Sequence, residues 1–229
     1  MRRLFAFLIM ASVKVASHFF FASRFEWNPP RPRIRFDQLR LLVFLNHTSL
    51  YEPIFITGLP FSVLWRIAGH ASLPGADITL DRPLVGAFWK LMMPRISAIT
   101  RKKDESWENY LASIEADDII LIAPEGRMMR PGGLDKDGQK MTVRGGIADI
   151  IEKLDDGYLL LCLSGGLHHV QAPGQFFPRL FKTIRMNVTQ IGIREYKARF
   201  PGSPRERKIQ IVRDLQRRLE KECPVPLTR

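Results

Sequence analysis

A histidine and a carboxylate five residues apart, His47 and Glu52, lie in the stretch Asn46-His47-Thr48-Ser49-Leu50-Tyr51-Glu52-Pro53. A carboxylate bonded to one imidazole nitrogen fixes the tautomer and leaves the other nitrogen free to take a proton. That is the histidine–acid part of a hydrolase triad, with the nucleophile left for a substrate to supply. The competing reading is a histidine that caps a helix and a glutamate that pairs with surface charge. Ser49 lacks the Gly-x-Ser-x-Gly setting of a nucleophile elbow, and a helix-start hydroxyl bonding backbone accounts for it. Asn46 either orients His47 or caps the turn. A second reactive stretch is Pro124-Glu125-Gly126-Arg127, followed by a Gly-rich charged loop and then Arg144-Gly145-Gly146. Tight-turn geometry explains these glycines as well as a backbone approach to phosphate does.

Both stretches follow apolar runs. Residues 41–45 and 119–123 read as buried strands, so His47/Glu52 and Glu125/Arg127 stand at strand exits, where reactive groups of open α/β sheets collect. Two such exits point to one shared site. Further strands are expected near 34–36, 62–68, 96–100, 158–163 and 183–191, the last antiparallel at an edge. Helices are expected near 50–57, 83–93, 105–116, 144–154 and 204–222, with helix starts at Asp81-Arg82-Pro83 and Ser203-Pro204. The alternation predicts an α/β layered domain with a mostly parallel central sheet flanked by helices.

Taken in order, four stretches resemble the motifs of the glycerolipid acyltransferase family, the His-x4-Asp/Glu enzymes of the 1-acylglycerol-3-phosphate acyltransferase kind. They are Asn46 to Glu52, Ile96-Ser97-Ala98-Ile99-Thr100-Arg101, Pro124 to Arg127, and the apolar residues 159–163. Each is weak alone, and the ordered set is strong. The chain departs from the family in three places. Glu52 stands where Asp is usual, and Arg127 and Met128 stand where the third motif has Thr and Arg. The fourth motif reads Leu161-Cys162-Leu163-Ser164-Gly165-Gly166 in place of Val-Pro-Val.

The resemblance implies transfer of a fatty acyl group from acyl-CoA or acyl carrier protein to a lysophospholipid hydroxyl, with 1-acylglycerol-3-phosphate the favoured acceptor. His47 braced by Glu52 would be the general base, and no cofactor is needed. By the same analogy Glu125 and Gly126 would lie at the acceptor, with Glu125 positioning its hydroxyl-bearing part. Arg101 and Arg127 would hold its phosphate, unless Arg130 substitutes for Arg127. The alternative is a non-catalytic lipid-binding or scaffold relative, supported by the irregular third motif.

Composition sets outer limits. At 229 residues the chain is long enough for one domain with a substantial core. A net charge of +12 and pI ≈ 10.2 predict an anionic partner. Nucleic acid is disfavoured, because the cations are spread along the chain rather than gathered with aromatics. The 2 cysteines form no disulfide framework, and no spacing resembles a metal site. Asp135-Lys136-Asp137-Gly138 is too short for a calcium loop. His168-His169 read as loop packing ahead of catalysis.

Residues 1–27 are read as an amphipathic membrane-interface helix, and residues 33–229, after a Pro-rich linker, as the acyltransferase domain. The apolar stretch is short for a transmembrane span and carries Lys14 in its middle, which suits a helix lying in the interface with Lys14 snorkelling. A signal peptide and a plain core helix compete with that reading. The donors implied by the resemblance place the chain at the cytoplasmic face. The basic 205–221 segment buries Ile211, Leu215 and Leu219 and offers its cations either to anionic lipid or to water.

Overall fold

A 19-residue helix, α1 (Arg2–Phe20), runs directly into strand β1 (Phe21–Asn28) in the computed structural model, which describes residues 1–100, 104–172 and 174–225. There follow β2 (Leu39–Leu45), α2 (Phe61–His70), β3 (Ala71–Ala76), α3 (Asp77–Leu80), α4 (Pro83–Met92) and β4 (Arg95–Ile99). The second half adds α5 (Glu105–Ala112), β5 (Ile119–Ile122), α6 (Gly146–Lys153), β6 (Tyr158–Ser164), β7 (Lys182–Gly192), α7 (Ile193–Ala198) and α8 (Pro204–Lys221). One seven-stranded sheet has the order β1-β7-β6-β2-β5-β3-β4. Every neighbouring pair is parallel except β6 with β7. The expected α/β layered architecture is therefore present.

Strand periodicity sorts the core into two layers. Leu41, Val43 and Leu45 of β2 point into the layer packed by α5, α6 and α8, whereas Leu42 and Phe44 point to the opposite face, beneath α1 and α2. β6 divides the same way: Leu159, Leu161 and Leu163 on one side, Leu160 and Cys162 on the other. α8 begins with a capping box in which Ser203 and Glu206 satisfy each other's backbone amides, as Ser203-Pro204 suggested. Ser203→Ala should cost about 1 kcal/mol, read as a lower urea midpoint at unchanged slope.

Several expectations are corrected. Residues 62–68 belong to helix α2, not a strand. Val63, Leu64, Ile67 and Ala68 are buried at helical spacing, and the β-branched and aromatic content of the short run hid that period. Residues 34–36 do not form a strand; 3-10 turns at Arg31–Arg33 and Phe36–Gln38 flank Ile34 in this proline-rich segment. The helix expected over 50–57 is a 3-10 helix, Glu52–Gly58. β3 escaped notice because Pro74 and Gly75 argue against a central strand; it pairs with β5 only through Ala71 and Ser72. The strand expected at an edge over 183–191 is antiparallel to β6, but β1 covers its other side. The boundary expected at residue 27 thus falls inside an edge strand, not at the end of a helix.

Helix α1 is turned in an unusual sense. Its buried stripe is Ala6, Met10, Lys14 and Ser17, while Leu4, Phe5, Leu8, Val15 and Phe19 are each more than half exposed. Lys14 does not snorkel outward. Its Nζ donates to the Thr57 carbonyl at 2.6 Å and lies 5.4 Å from the Phe61 ring centroid. Carbonyls in the last turn of a helix lack intrahelical partners, so the end of the 3-10 helix offers this ammonium an acceptor.

Candidate active site

His47 lies just past the end of β2, and three adjacent strand ends lock its backbone. Asn46 takes a left-handed φ of 66°, which a short amide side chain tolerates. Its Nδ2 donates to the Ser164 carbonyl at the end of β6, at 2.7 Å. From beyond β5, the Glu125 carboxylate accepts the Asn46 amide at 2.7 Å and the His47 amide at 2.8 Å. The His47 carbonyl accepts from the Met129 amide at 2.8 Å, and His168 Nε2 bonds the Met129 carbonyl at 2.7 Å. Thr48 Oγ1 accepts the Leu167 amide at 2.8 Å. The order β6-β2-β5 makes these ties possible, since it sets the three exits side by side.

Glu52 opens the 3-10 helix and folds back on the histidine. One oxygen is bonded to His47 Nδ1; the other accepts the amides of Thr48 at 2.7 Å and Ser49 at 3.3 Å. The carboxylate is itself held, so it fixes the ring. With Nδ1 facing a carboxylate, the neutral ring carries its proton there, and Nε2 is the free base. Among the described residues Nε2 has no hydrogen-bond partner. Burial lowers the imidazole's proton affinity, but the charges of Glu52 and Glu125 outweigh it, and the net pKa is raised above the usual histidine value.

The ring borders a cavity of about 840 Å³, within the range of small-molecule sites, roughly 300–1,000 Å³. Its walls are the apolar face of the sheet (Leu42, Phe44, Leu160, Met186) and α1 through Met10. Polar residues in the lining besides His47 include Glu52, Arg82, Arg127, Arg130 and Gln171. Burial pushes the Cys162 thiol, also in the wall, up to about 12, so it is no nucleophile.

No family model and no curated protein sequence matches the chain. Among solved structures it is similar to PlsC, the 1-acyl-sn-glycerophosphate (LPA) acyltransferase from Thermotoga maritima. The TM-score is 0.56, over 93% of this chain and 79% of that one, at 13% sequence identity. The fold is that of PlsC.

On this PlsC-like fold the remaining expected residues divide. Glu125, expected to position the acceptor, is 2% exposed, and its two oxygens accept the amides of the Asn46–His47 turn, so its carboxylate holds the backbone of the histidine. Burial raises its carboxyl to about 7, against the opposing pull of the two amides and His47. Gly126 makes the turn after it at φ 66° and lines the cavity. Arg127 also reaches the cavity, but its guanidinium is paired with Asp135 and, at 3.2 Å, with Asp137. That pairing comes first among the causes that hold Asp135 down at about 2, ahead of the Gln139 amide. Arg130, the substitute considered above, is exposed, lines the same cavity and has no side-chain hydrogen bond or ion pair among the described residues. Arg82 is in the same condition and was not foreseen. Arg101 lies outside the described residues.

Ser49 donates to Gln171 at 2.5 Å and accepts the Tyr51 amide at 3.1 Å, a local tie and not a nucleophile's setting. His169 bonds the Thr183 carbonyl at 2.8 Å, in keeping with packing. Glu115, Asp117 and Asp118 bring carboxylate oxygens within 4.8 Å of one another, yet Arg95 pairs with Glu115 and Asp118, and His70 pairs with Asp117 at 2.6 Å. Arg95 supplies to Glu115 and Asp118 the counter-charge that a cation would bring.

Proposed function

We propose that the chain is a glycerolipid O-acyltransferase acting at a membrane surface. The observation that carries the reading is a histidine braced at Nδ1 by a carboxylate, with Nε2 free among the described residues and beside a largely apolar cavity. Nε2 takes the proton of an acceptor hydroxyl as its oxygen attacks the thioester carbonyl of acyl-CoA or acyl carrier protein. When the tetrahedral intermediate collapses, the C–S bond breaks and the imidazolium returns the proton to the departing thiolate. The acyl chain occupies the apolar end of the cavity. Glu125 is a positioning residue: it fixes the backbone from which the histidine projects.

The acceptor in this reading is a lysophospholipid, with 1-acylglycerol-3-phosphate first. Arg130 and Arg82 supply the charge for its phosphate, since carboxylates already engage Arg127. Arg130→Ala should raise KM for a phosphate-bearing acceptor by about tenfold or more, the loss expected for a hydrogen bond to a charged group. KM for an uncharged monoacylglycerol should not move. An equal rise for both acceptors would remove Arg130 from the phosphate site.

The outward apolar face of α1 supports the membrane location, and a soluble thioester donor supports its cytoplasmic side. α8 packs on the opposite face of the sheet, where Arg207 pairs with Glu152 and Lys208 with Asp149, so its cations are not part of that surface. The test is a crossed panel of lysolipid acceptors with acyl-CoA and acyl carrier protein donors, read by mass spectrometry. The engaged Arg127 favours a second reading, a lipid-binding relative without turnover; no product from any pair would leave that one standing.

A further inference from the structure

The segment after β6 is pinned to the site at its base and thrust outward at its tip. Gln171 meets Ser49 at 2.5 Å, and the Tyr51 hydroxyl donates to the Phe176 carbonyl at 2.8 Å. Beyond these ties Phe176, Phe177 and Phe181 are 72%, 77% and 75% exposed, and Leu180 is 41% exposed. Four large apolar side chains within six residues do not arise from scattered surface composition. Phe181 also holds a left-handed φ of 59°, an uncommon conformation for a bulky residue. Its amide donates to the Phe20 carbonyl at 2.7 Å, so the end of α1 fixes the turn that exposes the ring.

The patch continues into α1: the Phe181 and Phe20 rings are 5.9 Å apart, and Phe20 and Phe19 5.0 Å. Arg179 and Lys182 flank Leu180-Phe181 in the sequence, and neither has a side-chain ion pair among the described residues. Aromatic rings interleaved with unpaired cations complement the boundary of an anionic bilayer, where rings enter the acyl region and cations meet phosphate. A protein partner would need none of the continuity with the outward face of α1.

We propose that residues 174–181 form a second membrane-inserting element, separate from α1, that seats the cavity mouth in an anionic bilayer. Phe176 lines that cavity, so a lipid acceptor passes from the bilayer to His47 without crossing water. This inference rests on the membrane-enzyme reading above.

The test uses the full chain and vesicles of phosphatidylcholine with phosphatidylglycerol, some carrying brominated acyl chains. Tryptophan is introduced as Phe177→Trp in the loop or as Leu8→Trp on α1, and the parent's emission is subtracted. Insertion predicts a blue shift and bromine quenching at both positions. Quenching at residue 8 alone would overturn the loop proposal and leave a membrane protein anchored by α1. Quenching at neither would overturn the membrane location as well. A blue shift at residue 177 without lipid, growing with protein concentration, would assign the patch to a second copy and overturn the proposal.

The paired substitution Phe177→Ser with Phe181→Ser should lower vesicle partitioning by about tenfold or more, as expected for two lost apolar anchors. Turnover of a soluble short-chain acceptor should persist, which also shows that the variant folds. Arg179→Glu with Lys182→Glu should weaken binding to anionic vesicles and spare purely zwitterionic ones. Unchanged partitioning in both variants would overturn the proposal.

Discussion

His47→Ala is expected to lower kcat for acyl transfer by about 10²–10⁴-fold, the usual contribution of a positioned general base. The thermal midpoint should hold, because the ring's partner Glu52 keeps its two backbone amides. Glu52→Gln should also lower kcat, since a neutral amide cannot stabilise the imidazolium formed as the hydroxyl proton moves. In the double variant the losses should not add: once the base is gone, its brace has nothing to orient. Activity within about tenfold of the parent in His47→Ala would end the general-base assignment. Because charge from Glu52 and Glu125 raises the His47 pKa, the free base is present only above that raised value, and kcat/KM should fall on acidification.

The second large effect is at Glu125. Ionised, it accepts two backbone amides; protonated, one oxygen carries a hydrogen toward an amide and a bond is lost. Its carboxyl titrates at about 7, against an ordinary 4.5. A raised folded pKa means that the folded chain binds this proton more tightly than the unfolded chain does. The group's contribution to stability is therefore full below the unfolded value and declines as pH rises through the folded one. The decline is about 3 kcal/mol between roughly pH 4 and 7. Activity should follow the opposite course, rising where stability falls.

Glu125→Gln should flatten that stability slope and cost about 1–3 kcal/mol of order at the His47 turn, where an amide group faces a donor. In the parent the acid limb of kcat/KM should follow loss of the free His47 base, whose pKa the charge of Glu125 helps to raise. In Glu125→Gln that limb should shift to lower pH, because one charge that raises His47 is gone. Parallel pH profiles for parent and variant would show that Glu125 is packing alone.

What could be read in advance follows from distance along the chain. His47 and Glu52 are five residues apart with a turn between them, and their contact is formed locally. The strands at 41–45 and 119–123 carry unbroken apolar runs, and their exits were visible for that reason. β3 was not, because Pro74 and Gly75 belong to a strand that leans on neighbours for half its pairing. Nor was the fate of Arg127: Asp135 lies eight residues on, and only the returning loop brings the two together.

The sequence by itself determined an α/β sheet, a histidine–carboxylate pair at a strand exit, and an N-terminal helix with one polar and one apolar arc. These depend on residue type and on periods of two and 3.6, which act over a few residues. Tertiary structure alone decided that Glu125 grips the histidine's backbone, that Arg130 and Arg82 are left unengaged at the cavity among the described residues, and that the polar arc of α1 turns inward. A carboxylate or guanidinium has no preference for substrate over backbone or counter-ion. Its role goes to whichever donor or acceptor the adjacency β6-β2-β5 and the packing of α1 place within reach.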